Sequence, residues 1–134
     1  MSWDSYVGNM EGEGCIYAAL FDNEGNKWAE SKNACLKVTP EQVQYLVKGI
    51  RPPNSVDLRA QGVRLGDRKF LVVALTENTL VLKQLGGDSN DKYMACVGLF
   101  NRGLCIGAAP AGEREKCSRM SVEKYADYLR NMNY

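Results

Sequence analysis

The stretch KFLVVALTENTLVLKQLGGDSNDKYMACVGLFNRGLCIGAA, residues 69–109, decides how this chain folds. Apolar segments at 69–76, 80–84, 92–100 and 104–109 alternate with ENT, GGDSND and NRG, which are turn chemistry. Strands joined by connections this short form an antiparallel meander. Within KYMACVGLF (92–100), Tyr93, Ala95, Val97 and Leu99 fall on one face, and Lys92, Met94, Cys96, Gly98 and Phe100 on the other. Both sets contain apolar side chains, so both faces of the sheet are expected to be covered at least in part.

Working outward, VRL (63–65) reads as a short extra strand. Residues 39–50 predict a helix: Thr39 caps it, Pro40 fits its first position, and Gln42 completes a capping box. Val43, Leu46, Val47 and Ile50 form its apolar face, and Arg51, Pro52 and Pro53 end it. CIYAALF (15–21), the turn DNEGN and KWAES make a hairpin over 15–31, with Gly25 free to take a positive φ. At the start, Trp3, Tyr6 and Val7 share a helical face behind an N-cap at Ser2, and Gly8 with EGEG is expected to stop that helix soon. Residues 114–132 predict a longer helix whose core stripe is Val122, Tyr125, Leu129 and Met132. The class is α+β with a mainly antiparallel sheet. No repeat or linker divides the sequence, so a single domain over 1–134 is expected.

Composition narrows the chemistry. Lys plus Arg is 17 and Asp plus Glu is 16, a net charge of +1, which argues against a nucleic-acid coat protein. Histidine is absent, which excludes Ser-His-Asp and Cys-His catalysis, imidazole-bound zinc and any histidine pH switch. No paired general acid and base and no phosphate loop stands out, so no enzyme, cofactor or metal site is expected. The cysteines Cys15, Cys35, Cys96, Cys105 and Cys117 lack a CxxC pair and read as reduced, mostly buried thiols. No apolar run approaches the roughly 18 residues needed to cross a bilayer, and MSWDSYV does not read as a secretory signal, so a cytoplasmic protein is expected. Against these exclusions stand 7 Tyr and 2 Trp, several of them near the two ends.

The ordered set of motifs resembles the profilin family. MSW..YV is similar to its N-terminal helix, NEGNKWA to its second tryptophan site, and VTPEQVQYLVKGI to its central helix. GVRLGDRKF resembles its G-x-x-L-G strand pair. VEKYADYLRNMNY resembles its C-terminal helix, with the Asp-Tyr-Leu of the plant and protist branch and the terminal Tyr of animal forms. The resemblance covers the whole chain and suggests a divergent, protist-like member. It implies a central sheet with the N- and C-terminal helices on one face and a further helix on the other. It also implies binding of monomeric actin, of proline-rich segments such as those of formins, and of phosphoinositide head groups, with effects on actin polymerisation and nucleotide exchange.

Carried over by position, the proline groove would consist of Trp3, Tyr6, Trp28, Tyr128 and Tyr134, with Leu129 at its floor. Such rings offer a wide apolar face and one hydrogen-bond donor each. Tyr128 stands where relatives carry His or Tyr. Tyr125 reads as core, and Tyr134, as the last residue, is expected to fray. The actin face would comprise Lys69, Val72, Lys83, Lys92, Met94, Arg119, Met120 and Glu123. Arg64, Arg68, Lys69 and Lys83, with Lys92, are the candidates for an inositol phosphate. Two departures bear on actin: Ala74 replaces a basic or polar residue, and EREKCSR (113–119) replaces a Gly-containing turn. The charged 113–119 segment motivates the alternative of an adaptor that binds proline-rich ligands with weak or absent actin binding. The first helix also reads as about a turn shorter than in most relatives.

Overall fold

The computed structural model describes residues 2–32, 36–50, 55–76, 78–85, 92–110 and 115–134, the side chains of 55–57 and 115–118 excepted. In chain order its elements are α1 (Trp3–Gly12), β1 (Tyr17–Asp22), β2 (Lys27–Glu30), α2 (Pro40–Ile50), α3 (Ser55–Gln61), β3 (Val63–Leu65), β4 (Arg68–Leu75), β5 (Thr79–Gln84), β6 (Tyr93–Leu99), β7 (Gly103–Pro110) and α4 (Glu115–Asn131). The strands form one seven-stranded sheet in the order β2-β1-β7-β6-β5-β4-β3. β4 to β7 pair antiparallel in sequence order, so the meander is borne out. The hairpin β1–β2 joins it through β1 and β7.

Alternation along the strands builds two cores. Tyr17, Ala19, Phe21, Ala95, Val97 and Leu99 pack with Val43, Leu46, Val47 and Ile50 of α2 and Leu58 of α3. Ala18, Leu20, Cys96 and Cys105 pack with Tyr6, Val7 and Met10 of α1 and Val122, Tyr125, Ala126 and Leu129 of α4. The helices at the two ends therefore share one face of the sheet, and the central helix takes the other. Cys15, Cys96 and Cys105 are buried thiols, and burial pushes the Cys105 thiol up to about 12. Cys35 and the Cys117 side chain lie outside the described residues.

The helix starts follow the sequence closely. The Thr39 N–H donates to Gln42 Oε1 at 3.1 Å and the Gln42 N–H donates to Thr39 Oγ1 at 3.2 Å, the reciprocal bonds of a capping box. Gln42 also clamps the β3–β4 turn, donating to the Gly66 carbonyl at 2.9 Å and accepting the Gly66 N–H at 2.8 Å. Gly66 has φ 66°, and a Cβ there would sit 2.8 Å from the Lys37 nitrogen, so the turn needs glycine. Ser2 caps α1 by accepting the Ser5 N–H at 3.3 Å.

Several expectations change. α1 ends within EGEG, two residues beyond the ten expected, and it carries Gly8 in its interior because Tyr6, Val7 and Met10 all bury against the sheet and outweigh the glycine penalty. α3 was not foreseen: its seven residues carry too little pattern. Met132 lies past the end of α4 and is exposed rather than part of its core stripe. The stop at Arg51, Pro52 and Pro53, the loop GGDSND and residues 113 and 114 of EREKCSR lie outside the described residues.

Two glycines set how close α4 lies. A Cβ on Gly98 of β6 would stand 2.8 Å from Ala126 Cβ and 2.9 Å from Val122 Cγ1, and one on Gly107 of β7 would stand 2.7 Å from Val122 Cγ2. Gly98→Val should therefore destabilise the protein by about 3 kcal/mol, the upper end for overpacking. Gly8→Ala, where a Cβ meets nothing within 4 Å, should stabilise by about 0.5–1 kcal/mol. Urea denaturation of both variants checks the contrast.

Candidate functional site

One turn of α1 separates Trp3 from Tyr6, and their rings stack with centroids 5.7 Å apart. Strand β2 adds Trp28, 4.5 Å from Trp3. Its hairpin turn is held by the Asp22 carboxylate, which accepts the Glu24 and Asn26 N–H groups at 2.9 Å each. Phe100 backs the Trp28 ring at 5.8 Å. From α4, Tyr128 lies 6.2 Å from Tyr6, and beyond it Tyr134 meets Trp3 edge-on at 5.4 Å. The rings from both chain ends and β2 thus converge with Trp3 as their hub. A cleft of about 160 Å³ opens between Trp3, Tyr6, Tyr128, Met132 and Tyr134. Tyr128 is 47% exposed, while Leu129 lies buried in the core beneath.

Tyr134 is not frayed. Its N–H donates to the Leu129 carbonyl at 2.9 Å, its carbonyl accepts the Arg102 N–H, and the Arg102 guanidinium sits 5.4 Å above its ring. The terminal turn closes because Asn133 takes a φ of 65°. Arg130 adds a second tie, donating to the Leu99 carbonyl at 2.9 Å.

Tyr125 does more than fill the core. Its ring meets Tyr6 edge-on at 5.7 Å, and its hydroxyl donates to Glu13 Oε2. Lys124 pairs with the same carboxylate at 3.4 Å and sits 5.0 Å from the Tyr125 ring centre. Glu13 directly follows α1, so this group ties the end of α1 to α4. Sequence reading missed it, because Glu13 and Tyr125 are 112 residues apart and no pattern links them. Burial and the Glu13 hydrogen bond raise the Tyr125 pKa, and burial with Tyr128 and Tyr134 raises that of Tyr6.

The second set of candidates gathers less completely. Arg64 stands opposite Lys69 across β3 and β4, and Lys83 opposite both Leu71 and Met94. By alternation these residues share the sheet face that carries α4, beyond the strands that α4 covers. Arg119 and Met120 are exposed near the start of α4, and Arg119 pairs with Glu123 at 3.1 Å. Lys92 precedes β6 and is half-buried. Val72 does not belong to this surface: it pairs with Leu82 and packs into the core under α2, and Leu71 takes the exposed position instead. Arg68 also leaves the cationic group, donating to Gln84 Oε1 at 3.0 Å with its guanidinium 4.4 Å above the Tyr93 ring. Among the described residues no group of acidic, cysteine or histidine side chains could hold a metal ion.

The raised tyrosine pKa values give stability a pH dependence with a definite sign. The neutral phenols favour the folded state, so their contribution is complete below the ordinary tyrosine value of about 10 and is lost as pH rises through the folded values. The urea midpoint should fall above about pH 10. Tyr125→Phe should shrink that fall and cost about 1.5–3 kcal/mol at neutral pH, the scale of one hydrogen bond to a charged group.

The whole chain, residues 1–134, matches the family model described as Profilin. A profilin from Strongylocentrotus purpuratus is 23% identical over 146 residues, which cover 99% of each chain. Mouse profilin IIa, solved in complex with a double repeat from the FH1 domain of mDia1, superposes with a TM-score of 0.82 at 20% identity, covering 100% of both chains. LokiProfilin1, solved in complex with rabbit actin, superposes at 0.64 with 12% identity over 98% of each chain. The match over the full length, together with the sheet order and the placing of the helices, shows that this chain belongs to the profilin family.

Proposed function

We propose that this protein binds monomeric actin and the proline-rich segments of partners such as formins. In doing so it regulates actin polymerisation and nucleotide exchange in the cytoplasm, as a binding protein and not a catalyst. The aromatic shelf carries the reading. A polyproline II helix rises ~3.1 Å per residue and has no internal hydrogen bonds, so its carbonyls seek donors. The steps from Trp3 to Tyr6 and from Tyr6 to Tyr128, 5.7 and 6.2 Å, are each near two such residues, and Trp28 lies closer in, 4.5 Å from Trp3. Indole and phenol groups supply the donors and the flat apolar faces. The complex of mouse profilin IIa with an FH1 repeat supports the same reading.

For actin, the proposed face is the exposed end of the sheet beside α4: Lys69, Lys83, Lys92, Met94, Arg119, Met120 and Glu123, with Leu71 in place of Val72. Cations there speed encounter with an acidic partner surface, and the exposed Leu71 and Met120 supply apolar area. The complex of LokiProfilin1 with rabbit actin supports this reading. Arg64, Lys69 and Lys83 also suit an inositol phosphate, which would compete with actin for the same cations.

Trp3→Ala should weaken binding of a polyproline peptide at least tenfold, the scale of a central aromatic anchor. It should leave the effect on pyrene-actin assembly unchanged. Lys83→Glu should do the reverse. Equal loss of both activities in either variant would reject the separation of the two faces. Wild-type protein that binds polyproline without slowing spontaneous actin assembly would instead be an adaptor.

A further inference from the structure

The outer side of α1, opposite the side that carries Tyr6 and Glu13 toward α4, bounds a groove of about 820 Å³ at the β1–β2 edge of the sheet. α1 supplies Asp4, Gly8 and Glu11 to it, and Ile16, Glu30 and Lys32 face them. Its apolar ground is open: Ile16 is an exposed large hydrophobic residue, and a Cβ on Gly8 would meet nothing within 4 Å. Glu30 is already engaged, accepting the Tyr17 hydroxyl at 3.0 Å and pairing with Lys27 at 3.2 Å. Among the described residues no hydrogen bond or ion pair holds the carboxylate of Asp4 or Glu11. The lining sets one cation, Lys32, against those two free carboxylates.

We infer that this groove takes an extended basic segment of the ligand, with two Lys or Arg side chains three residues apart, flanking its proline run. The inference rests on the proline-binding reading above and adds a charge-selective site to it. Spacing decides the pattern. Asp4 and Glu11 are seven residues apart on α1, about 10.5 Å along the helix axis. One turn of polyproline II is three residues and about 9.3 Å, and it returns a side chain to the same face. Basic residues at the first and fourth places of such a segment therefore reach one carboxylate each. Their aliphatic stems lie over Gly8 and against Ile16 while the charged heads stay at the rim. Charge decides the residue class. The whole protein carries a net charge of +1, so its overall field does not favour a cation, and attraction must come from this groove. Continuity decides the end of the ligand. Asp4 directly follows Trp3, and Glu30 stands two residues past Trp28, so the groove begins where the Trp3–Trp28 pair ends the shelf, on the side away from Tyr128.

Isothermal titration with synthetic peptides tests this. The probes are a run of prolines and runs of the same length in which the last four residues at one end or the other are Arg-Pro-Pro-Arg or Glu-Pro-Pro-Glu. The arginine pair should tighten binding by about three- to tenfold at one end only, the scale of two exposed ion pairs. The gain should shrink as salt is raised toward about 1 M, where the screening length falls to about 3 Å. The glutamate pair should give no gain at that end. Two variants, both changed only at exposed positions of α1, should erase the arginine gain while holding the affinity for the plain run within about twofold. Asp4→Asn with Glu11→Gln removes the free carboxylates, and Gly8→Lys places a cation in the groove itself. Binding of the plain run with no gain from arginine at either end, or an equal gain at both ends, overturns the groove and leaves the shelf standing. Survival of the gain in either variant also overturns it, and so does loss of the plain run in both variants, which would make the groove part of the shelf. Failure of wild-type protein to bind the plain run overturns both readings.

Discussion

The seat of α4 on β6 and β7 is the constraint on which the rest depends. Gly98 and Gly107 remove the side chains that would hold the helix away, and Val122 and Ala126 settle into the space they leave. That approach fixes the depth of Leu129 and the Tyr125 ring, and therefore the height at which Tyr128 emerges beside Tyr6. Overpacked interiors respond by shifting neighbouring elements and not by compressing. A shift of α4 by even part of a side chain would separate Tyr128 and Tyr134 from the rings of α1 and β2.

The same helix separates two surfaces of different chemistry. Near its C-terminal end the surroundings are aromatic, and the charges are paired or lie against rings, as with Arg130 on Asp127 and Arg102 over Tyr134. Beyond its N-terminal end the sheet face is cationic and partly apolar, with Lys83 beside Leu71 and Met94. With a net charge of only +1 the protein has no long-range field to attract a partner, so recognition on each surface depends on local chemistry. Lying at opposite ends of α4, the aromatic and the cationic surfaces share no residue.

The sheet was legible because its strands are consecutive and their turns short. The alternation in KYMACVGLF assigns each side chain to the correct core, down to Gly98 beneath the helix. The Thr39–Gln42 cap was legible because both partners lie within one turn. The rings of the shelf were legible only through the family resemblance, since nothing local says that Trp3, Trp28 and Tyr134 converge. Three kinds of feature escaped. Helix α3 escaped because its seven residues carry too little pattern. Val72 and Arg68 were assigned by position in a family pattern, whereas strand parity decides which face they take. The Glu13–Tyr125 contact joins elements at opposite ends of the chain, and no periodicity connects them.

The absence of histidine gains a meaning from this geometry. Tyr128 contributes a phenol to the shelf, a flat ring with one hydrogen-bond donor, and no imidazole stands anywhere in the sequence. Its neighbour Tyr6 is moved further from neutrality, since burial and the adjacent phenols disfavour its anion. The indoles of Trp3 and Trp28 do not titrate at all. The Tyr6 phenol and the two indoles therefore keep their hydrogen-bond donors throughout the neutral range. A shelf of Trp and Tyr offers only flat apolar faces and single donors, so any selectivity must come from its shape and from what flanks the rings.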